Sequence, residues 1–216
     1  KEWDALDDLI NKYVSQISNG DSARNVKWSV KNFRFDNTFS YGKGNYINFD
    51  DLNGIIGLFG PNRSGKSSIP GSLMYTLFNT TDRGSIKNLH IINSRKGYCQ
   101  GSVDMSINGQ LYRIERQSTK HETRAGKLHA VTHLNLFKID ENGNVTQDLS
   151  GSQRTETEKI IRKLVGTSDD FLLTSMASQG EMNNFIKYKA TQRKAVLTNF
   201  GLQVPLFGIG FFNLIF

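Results

Sequence analysis

The sequence Gly-Ile-Ile-Gly-Leu-Phe-Gly-Pro-Asn-Arg-Ser-Gly-Lys-Ser-Ser occupies residues 54–68 and indicates the class of the fold. Its second part, residues 60–68, contains the pattern Gly-x-x-x-x-Gly-Lys-Ser of a phosphate-binding loop, or P-loop. The apolar run at residues 54–59 is typical of a strand that is buried on both faces. Apolar residues recur at helical spacing in residues 67–78. This succession of strand, P-loop and helix predicts an α/β P-loop fold.

Each defined position of the P-loop has a physical role in binding a nucleoside triphosphate. The glycines let the backbone close around phosphates, so that successive amides point at one anion. The N-terminus of the following helix adds its dipole. Lys66 is expected to reach the β- and γ-phosphates, and the Ser67 hydroxyl to bind magnesium. We therefore expect the loop at residues 60–68 to bind ATP with magnesium.

The composition predicts a folded, basic chain. Its 216 residues are 37% hydrophobic and 22% charged, which suits one ordinary domain or two small ones. The sequence contains no run of about 18 apolar residues, so it predicts no membrane span. The single cysteine, Cys99, excludes an internal disulfide framework, fits a reducing compartment and is expected to be a small core residue. The net charge of +7 favours polyanionic partners such as nucleic acid, although many basic domains bind none.

Hydrophobic periodicity places the other elements along the chain. Residues 1–20 form an amphipathic pattern, and Asn108-Gly109 is a strong hairpin signal between two alternating runs. Pro70 falls in the first turns of the helix after the P-loop and is expected to distort them. Residues 201–216 are rich in Phe, Ile and Gly and suggest a truncated or aberrant tail. Further strands are predicted at residues 26–35, 46–49 and 129–139, and helices at residues 154–165, 168–177 and 181–199.

Four further motifs flank the P-loop along the chain. They are Val30-Lys31-Asn32-Phe33-Arg34, Ile91-Ile92-Asn93, Tyr112-Arg113-Ile114-Glu115-Arg116 and Gln179-Gly180-Glu181. In order and spacing, these motifs and the P-loop together resemble the SbcC-type family, and the resemblance covers roughly residues 26–202. This is a family of DNA double-strand-break repair ATPases that is related to SMC proteins and, more distantly, to ABC ATPases.

The resemblance implies the N-terminal lobe of a split ATPase head. The expected fold is a mixed sheet with an antiparallel β layer and a helical subdomain. Residues 1–20 would be a separate helix, residues 21–200 the lobe and residues 201–216 the tail. The chain lacks the Walker B carboxylates and a credible signature loop, so we expect no activity from the lobe alone. It starts at Lys1, and we expect a fragment or a processed product.

The resemblance also implies site residues and partners. Arg34 would lie near the nucleotide, and Gln179 would reach the magnesium ion and the attacking water. The triphosphate and magnesium would be held by Asn62, Arg63, Ser64, Gly65, Lys66, Ser67 and Ser68. Lys66 and Gln179 are then the catalytic candidates, and Ser67 and Gln179 the metal ligands. Arg63 departs from the small residue that is usual in the family. The expected partners are the C-terminal lobe of the same protein, a second copy bound through ATP, an SbcD-type nuclease and double-stranded DNA ends.

The resemblance further implies a protein of the cytoplasm or nucleoid, or of the host cytoplasm if the source is viral, without a membrane partner. Two alternatives stay open: an ATPase of the ABC transport class, and a relic that binds nucleotide without catalysis. Extending the sequence would separate them, because a coiled coil next to the lobe would favour the repair ATPase. A nearby signature loop and Walker B strand would favour the transport ATPase.

Other candidate motifs carry less information. Residues 149–153 look like a signature loop, but they precede an amphipathic helix and predict a turn with Ser152 as the helix N-cap. The four histidines lack a metal-ligand spacing. A set of basic residues near the β-rich segment indicates either contacts to DNA phosphates or a solvated face. These residues are Lys87, Arg95, Lys96, Lys120, Arg124 and Lys127.

Overall fold

The computed structural model describes residues 28–81, 84, 86–177, 189–191 and 214–215. Within them the elements follow one another as β1 (Trp28–Asp36), β2 (Asn45–Asn48), α1 (Ser68–Phe78), α2 (Asn88–Ile91), β3 (Tyr98–Ile107), β4 (Gln110–Glu122), β5 (Leu128–Ile139), β6 (Val145–Asp148), α3 (Arg154–Val165), α4 (Ser168–Thr174), β7 (Met176–Ala177) and β8 (Leu214–Ile215). No helix in these ranges is long and apolar enough to cross a membrane.

Six strands form one antiparallel sheet in the order β2-β1-β3-β4-β5-β6. The β3–β4 hairpin turns at Asn108 and Gly109, where φ is 50° and 80°. Two consecutive positive φ angles are what a two-residue hairpin turn of type I′ requires, so the sequence signal is confirmed. Strands β7 and β8 make a separate, parallel two-stranded sheet. The predicted strands on both sides of the P-loop sequence are thus present as an antiparallel β layer.

The two faces of the large sheet differ because strand residues alternate in direction. The cross-strand row Phe33, Val103, Ile114 and Leu136 is buried on one face. The neighbouring row on the opposite face is polar and consists of Arg34, Ser102, Glu115 and Asn135. Helices α1 and α3 cover the apolar face, and Leu73, Met74, Leu77, Ile161 and Val165 join its core. Among the described residues the core cluster places no helix on the polar face, which we call the open face.

Helix α1 lies close to the sheet at one glycine. A Cβ atom on Gly101 of β3 would overlap the Thr76 hydroxyl of α1, so only glycine allows this approach. Arg116, the cross-strand partner of Gly101, is fully buried below the helix. Its guanidinium donates to the Thr76 carbonyl at 3.0 Å and to Glu158 of α3 at 3.4 Å. The close approach at Gly101 and the hydrogen bond from the buried Arg116 guanidinium therefore hold α1 on the sheet.

Two of the predicted elements differ from the structure. Residues 54–59 form no strand, and the side chains of Ile55 and Phe59 are 102% and 92% exposed. A strand buried on both faces needs neighbouring strands, and none of the described strands pairs with this segment. The helix predicted at residues 168–177 ends at Thr174, and Met176–Ala177 pair with Leu214–Ile215 instead.

The N-cap of α3 is Gln153 and not Ser152, so that prediction was wrong by one residue. Gln153 and Glu156 form a capping box, in which each side chain accepts the backbone amide of the other residue. The Ser152 hydroxyl donates to the Glu156 carboxylate at 3.0 Å and so supports the cap from outside. The predictions for residues 1–20, for residues 181–188 and 192–199, and for the tail apart from Leu214–Ile215 lie outside the described residues.

Candidate nucleotide site

The P-loop connects the exposed apolar segment to the N-terminus of α1. The helix begins at Ser68 after Ser67, as the sequence predicted to within a residue. Gly65 has a φ of 93°, and Arg63 has a φ of 66°. The second value is in the left-handed region, which non-glycine residues rarely adopt. The Ser68 amide donates to the Gly65 carbonyl at 2.9 Å, which closes the last turn of the loop before the helix.

Lys66 folds back over the loop. Its ammonium donates to the Gly60 carbonyl at 2.7 Å and to the Pro61 carbonyl at 2.8 Å. These are the first two carbonyls of the P-loop, so the charge lies across the loop that would enclose phosphates. If a triphosphate binds, the Lys66 ammonium would donate to its charged oxygens instead of these two carbonyls. Charged oxygens make stronger hydrogen bonds with an ammonium.

Pro70 is the third residue of α1, where the helix has no intrahelical acceptor for an amide. The proline therefore removes no helical hydrogen bond. The turn before it is tight, since the Ile69 amide donates three residues back to the Lys66 carbonyl at 3.3 Å. The Ser72 hydroxyl donates to the Ser68 carbonyl, four residues earlier, at 2.7 Å and so links the first and fifth residues of α1.

A turn after β1 lies against the P-loop, and sequence analysis missed it. A Cβ atom on Gly65 would be 2.6 Å from the Ser40 hydroxyl oxygen and 3.3 Å from Cε2 of Tyr41. Thr38 of the same turn hydrogen-bonds the Ser72 hydroxyl at 2.7 Å. The P-loop is thus contacted at Gly65 by residues that lie more than twenty positions before that glycine. No motif marks them, and only the nearby glycines signal a turn.

Arg34 lies on the open polar face. Its guanidinium donates to the Asp104 carboxylate at 3.1 Å and lies 5.2 Å from the centre of the Tyr46 ring. Arg113 donates to both oxygens of Asp104, at 2.6 and 3.0 Å. Burial alone would raise the pKa of Asp104, but the hydrogen bonds and charges of Arg113 and Arg34 outweigh it and hold this pKa below its usual value. The contact of Arg34 with nucleotide stays a prediction.

Arg34, Tyr46 and Arg113 line a groove of 620 Å³ along the open face. The groove carries both signs of charge, since Asp36 and Glu115 lie in it with Arg34 and Arg113. A polyanion is therefore not favoured by the groove itself.

The basic residues that the sequence singled out are mostly near one end of the sheet, where β3 begins, β4 ends and β5 begins. Lys120 donates to the carbonyls of Asn93 and Ser94, at 3.2 and 3.4 Å. The remaining members are exposed, namely Lys87, Arg95, Lys96, Arg124 and Lys127. Asp36 at the end of β1 pairs with Gln100 near the start of β3, so the turn that covers the P-loop leaves the sheet at this same end.

Cys99 is a buried core residue, as predicted. Burial raises the pKa of its thiol to about 11, so the thiol stays protonated at neutral pH and is a poor nucleophile. Its neighbour Tyr75 of α1 bonds Ser118 at 2.6 Å, and Ser118 bonds Thr132 at 2.7 Å. In the described ranges no three potential ligands come together to hold a metal ion. Gln179, the other predicted ligand besides Ser67, lies outside the described residues.

Comparisons with known proteins agree with the motifs. "Uncharacterized protein R555" of Acanthamoeba polyphaga mimivirus is 33% identical over 183 residues, which are 82% of this chain and 13% of that protein. The SbcC component of the nuclease SbcCD from Clostridium acetobutylicum is 29% identical over 162 residues, 73% of this chain and 13% of that protein. The DNA double-strand break repair Rad50 ATPase of Methanococcus maripaludis is 27% identical over 172 residues, 78% of this chain and 15% of that protein. The chain thus spans 13–15% of the length of these relatives.

Solved structures of the recombination mediator RecF are also similar. RecF bound to ATP has a TM-score of 0.46 and 18% identity, and the match covers 79% of this chain and 37% of that one. RecF-ATPrS has a TM-score of 0.49 and 17% identity, with 85% and 40% covered.

A family model described as the AAA domain matches residues 30–203, which is most of the chain. Together with the SbcC and Rad50 relatives, this match confirms the predicted resemblance to SbcC-type ATPases and the predicted P-loop fold class. The chain therefore belongs to the AAA domain family.

Proposed function

We propose that this chain is the ATP-binding N-terminal lobe of an ATPase that acts in DNA repair or recombination. The P-loop supports this proposal most directly. Gly65 adopts a left-handed conformation, Lys66 lies over the loop carbonyls, and Ser67 stands at the N-terminus of a helix of eleven residues. Oriented amides, a long flexible ammonium side chain and a helix dipole are together suited to a triphosphate.

In this proposal residues 62–68 hold the triphosphate, and the Ser67 hydroxyl is one ligand of magnesium. A hydroxyl oxygen suits magnesium, which is a hard cation that prefers oxygen ligands and keeps several of its waters. Magnesium supplies neutralisation of the phosphate charge when it is bound. Lys66 stabilises the negative charge, and Gln179 orients the attacking water. In the same proposal Arg34 of β1 lies beside the nucleotide.

We further propose that a C-terminal lobe of the same protein completes the head and supplies the groups that hydrolysis still requires. The exposed apolar segment before the P-loop supports this, because Ile55 and Phe59 have no cover among the described residues. Two heads would then bind each other through ATP, and hydrolysis would regulate an SbcD-type nuclease at DNA ends. We place the protein in the cytoplasm or nucleoid, or in the host cytoplasm if it is viral.

The basic end of the sheet supports double-stranded DNA as the partner. Arg95, Lys96, Arg124 and Lys127 are exposed there, in two loops that flank β3 and β4. Lysine and arginine neutralise DNA phosphates and release counterions, so binding at this end is expected to weaken steeply with salt. The P-loop lies near the same end, which would bring DNA close to the nucleotide.

The test is the binding of a fluorescent ATP analogue with magnesium, measured with and without a separately expressed C-terminal lobe. Lys66→Ala is expected to weaken binding by at least about tenfold, since it removes charged hydrogen bonds to phosphate. Lys159→Ala is the matched control, because Lys159 is an exposed lysine on α3. Absence of binding by the unmodified chain in both conditions would contradict the proposal and favour a nucleotide-binding relic.

A further inference from the structure

The turn Asn37–Tyr41 has an energetically costly conformation. Asn37 and Phe39 have φ angles of 54° and 50°, in the left-handed region that disfavours residues with a Cβ atom. The Asn37 side chain is fully buried, and neither its Nδ2 nor its Oδ1 has a hydrogen-bond partner among the described residues. Such strain persists only where the surroundings impose it, and it concentrates at functional sites.

Asn93 imposes this conformation from the segment after α2. Its backbone amide donates to the Asn37 carbonyl at 2.8 Å, and its side-chain Nδ2 donates to the Tyr41 carbonyl at 3.0 Å. One residue therefore holds the first and last residues of the turn. The Asn93 side chain is itself fixed, because its Oδ1 accepts the Arg95 amide at 3.0 Å. Lys120 donates to its carbonyl at 3.2 Å.

The turn Asn37–Tyr41 contacts the P-loop and the first turn of α1 at two places. Ser40 and Tyr41 lie against Gly65, where there is no space even for a Cβ atom. Thr38 meets the Ser72 hydroxyl at 2.7 Å. The single proton of Ser72 goes to the Ser68 carbonyl, so Thr38 must donate to Ser72. Thr38 of the turn thus donates to Ser72, and Ser72 donates to Ser68, the first residue of α1.

We propose that Asn93 is a positioning residue for the P-loop: it holds the turn Asn37–Tyr41 against Gly65 and so sets the loop geometry that binds ATP. The proposal rests on the proposed function and adds a residue that lies outside the P-loop. Asn93 makes no contact with nucleotide in this arrangement. It acts by ordering amides before the ligand arrives, so less conformational freedom is lost when ATP binds.

Asn93→Asp is the sharpest test. Aspartate keeps an oxygen that accepts the Arg95 amide, but it has no donor for the Tyr41 carbonyl. Asn144→Asp is the matched control, because Asn144 also donates its Nδ2 within a turn, to Asp140 at 3.0 Å, in the β5–β6 connection. Two quantities are measured in each full chain: the affinity for magnesium ATP, and hydrogen exchange of the amides of residues 62–68 without nucleotide.

We expect Asn93→Asp to weaken magnesium ATP binding about tenfold and to speed exchange in residues 62–68 by a similar factor, which corresponds to one hydrogen bond. Exchange in residues 103–107 should stay unchanged, which a general loss of stability would not allow. The Asn144→Asp chain should match the unmodified chain in both quantities. If Asn93→Asp fails to fold, Asn93→Ala replaces it, since alanine removes the donor without adding a charge.

The proposal is overturned if Asn93→Asp leaves P-loop exchange unchanged, or if exchange rises equally throughout the sheet. Failure of the proposed function is a separate result, in which the unmodified chain binds no ATP. The exchange rates then still decide whether Asn93 positions the P-loop. Unchanged ATP affinity with faster exchange would overturn the link between loop order and binding.

Discussion

Asp104 binds two arginines, Arg34 and Arg113, on the open face of the sheet. Its side chain is only 6% exposed, and it accepts hydrogen bonds from the guanidinium groups of Arg113 and Arg34. A carboxylate in this position would be costly without those partners. The pair of arginines therefore fixes the charged form of Asp104, and Asp104 in turn holds Arg34 on the face where it is proposed to meet nucleotide.

Asp104 should make stability depend on pH in acid. Its folded pKa is lowered, so its contribution is complete above the unfolded pKa of about 3.9 and is lost as pH falls through the folded pKa. We expect Asp104→Asn to lower the free energy of unfolding by about 2 kcal/mol at pH 7. The difference from the unmodified chain should shrink as the pH falls below about 4.

Urea unfolding at a series of pH values measures this difference. Asp50→Asn is the control, because Asp50 makes an exposed ion pair with Lys31 at 2.8 Å and such pairs contribute less than about 1 kcal/mol. A difference that stays constant from neutral to acid pH would show that the charge of Asp104 does not stabilise the fold.

Single residues show where sequence reasoning ends. The P-loop could be predicted because the residues that would bind phosphate are consecutive in the sequence. The contact of Ser40 and Tyr41 with Gly65 could not, since it depends on how a turn of another element folds back. The N-cap of α3 is a different case, because Glu156 stands three residues after Gln153, and this capping-box spacing in the sequence already favours Gln153 over Ser152.

Helix α1 depends on Gly101 for its place on the sheet. We expect Gly101→Ala to lower the free energy of unfolding by about 2–3 kcal/mol, because the new methyl group overlaps the Thr76 side chain. Gly97→Ala is the matched control, since no atom lies within 4 Å of its added Cβ. Urea unfolding of both variants gives the comparison.

A second substitution distinguishes overlap from a change in strand propensity. The atoms closest to the added methyl are the Thr76 hydroxyl, methyl and Cβ. Thr76→Ala removes the first two, so it should recover part of the stability lost in Gly101→Ala. If the double variant is no more stable than Gly101→Ala alone, steric overlap is not the cause.

At the level of elements, local signals predicted most of the sheet. Alternating apolar residues and the Asn108-Gly109 turn specify β3 and β4 without reference to the rest of the chain. Strand β6 was missed because all four of its residues are exposed, so it has no apolar alternation. The run at residues 54–59 has the composition of a buried strand, but composition does not supply the neighbours that such a strand needs.

The whole molecule has one feature that its own described residues leave unexplained, the exposed apolar segment before the P-loop. Ile55, Ile56, Leu58 and Phe59 are consecutive or nearly so, and all are exposed. A contiguous apolar patch of this kind marks an interaction site. Because the P-loop follows directly, whatever covers the segment also fixes the start of the loop.

We expect Ile55→Lys to weaken association with the proposed C-terminal lobe by at least about tenfold, since a lysine in an apolar interface must lose its hydration. The stability of the chain itself should not change, because Ile55 is fully exposed. Val145→Lys is the control, as Val145 is also exposed but lies on the edge strand β6. Sedimentation of the two lobes together measures the association. Equal association of Ile55→Lys and the unmodified chain would show that the segment is covered by something other than this lobe.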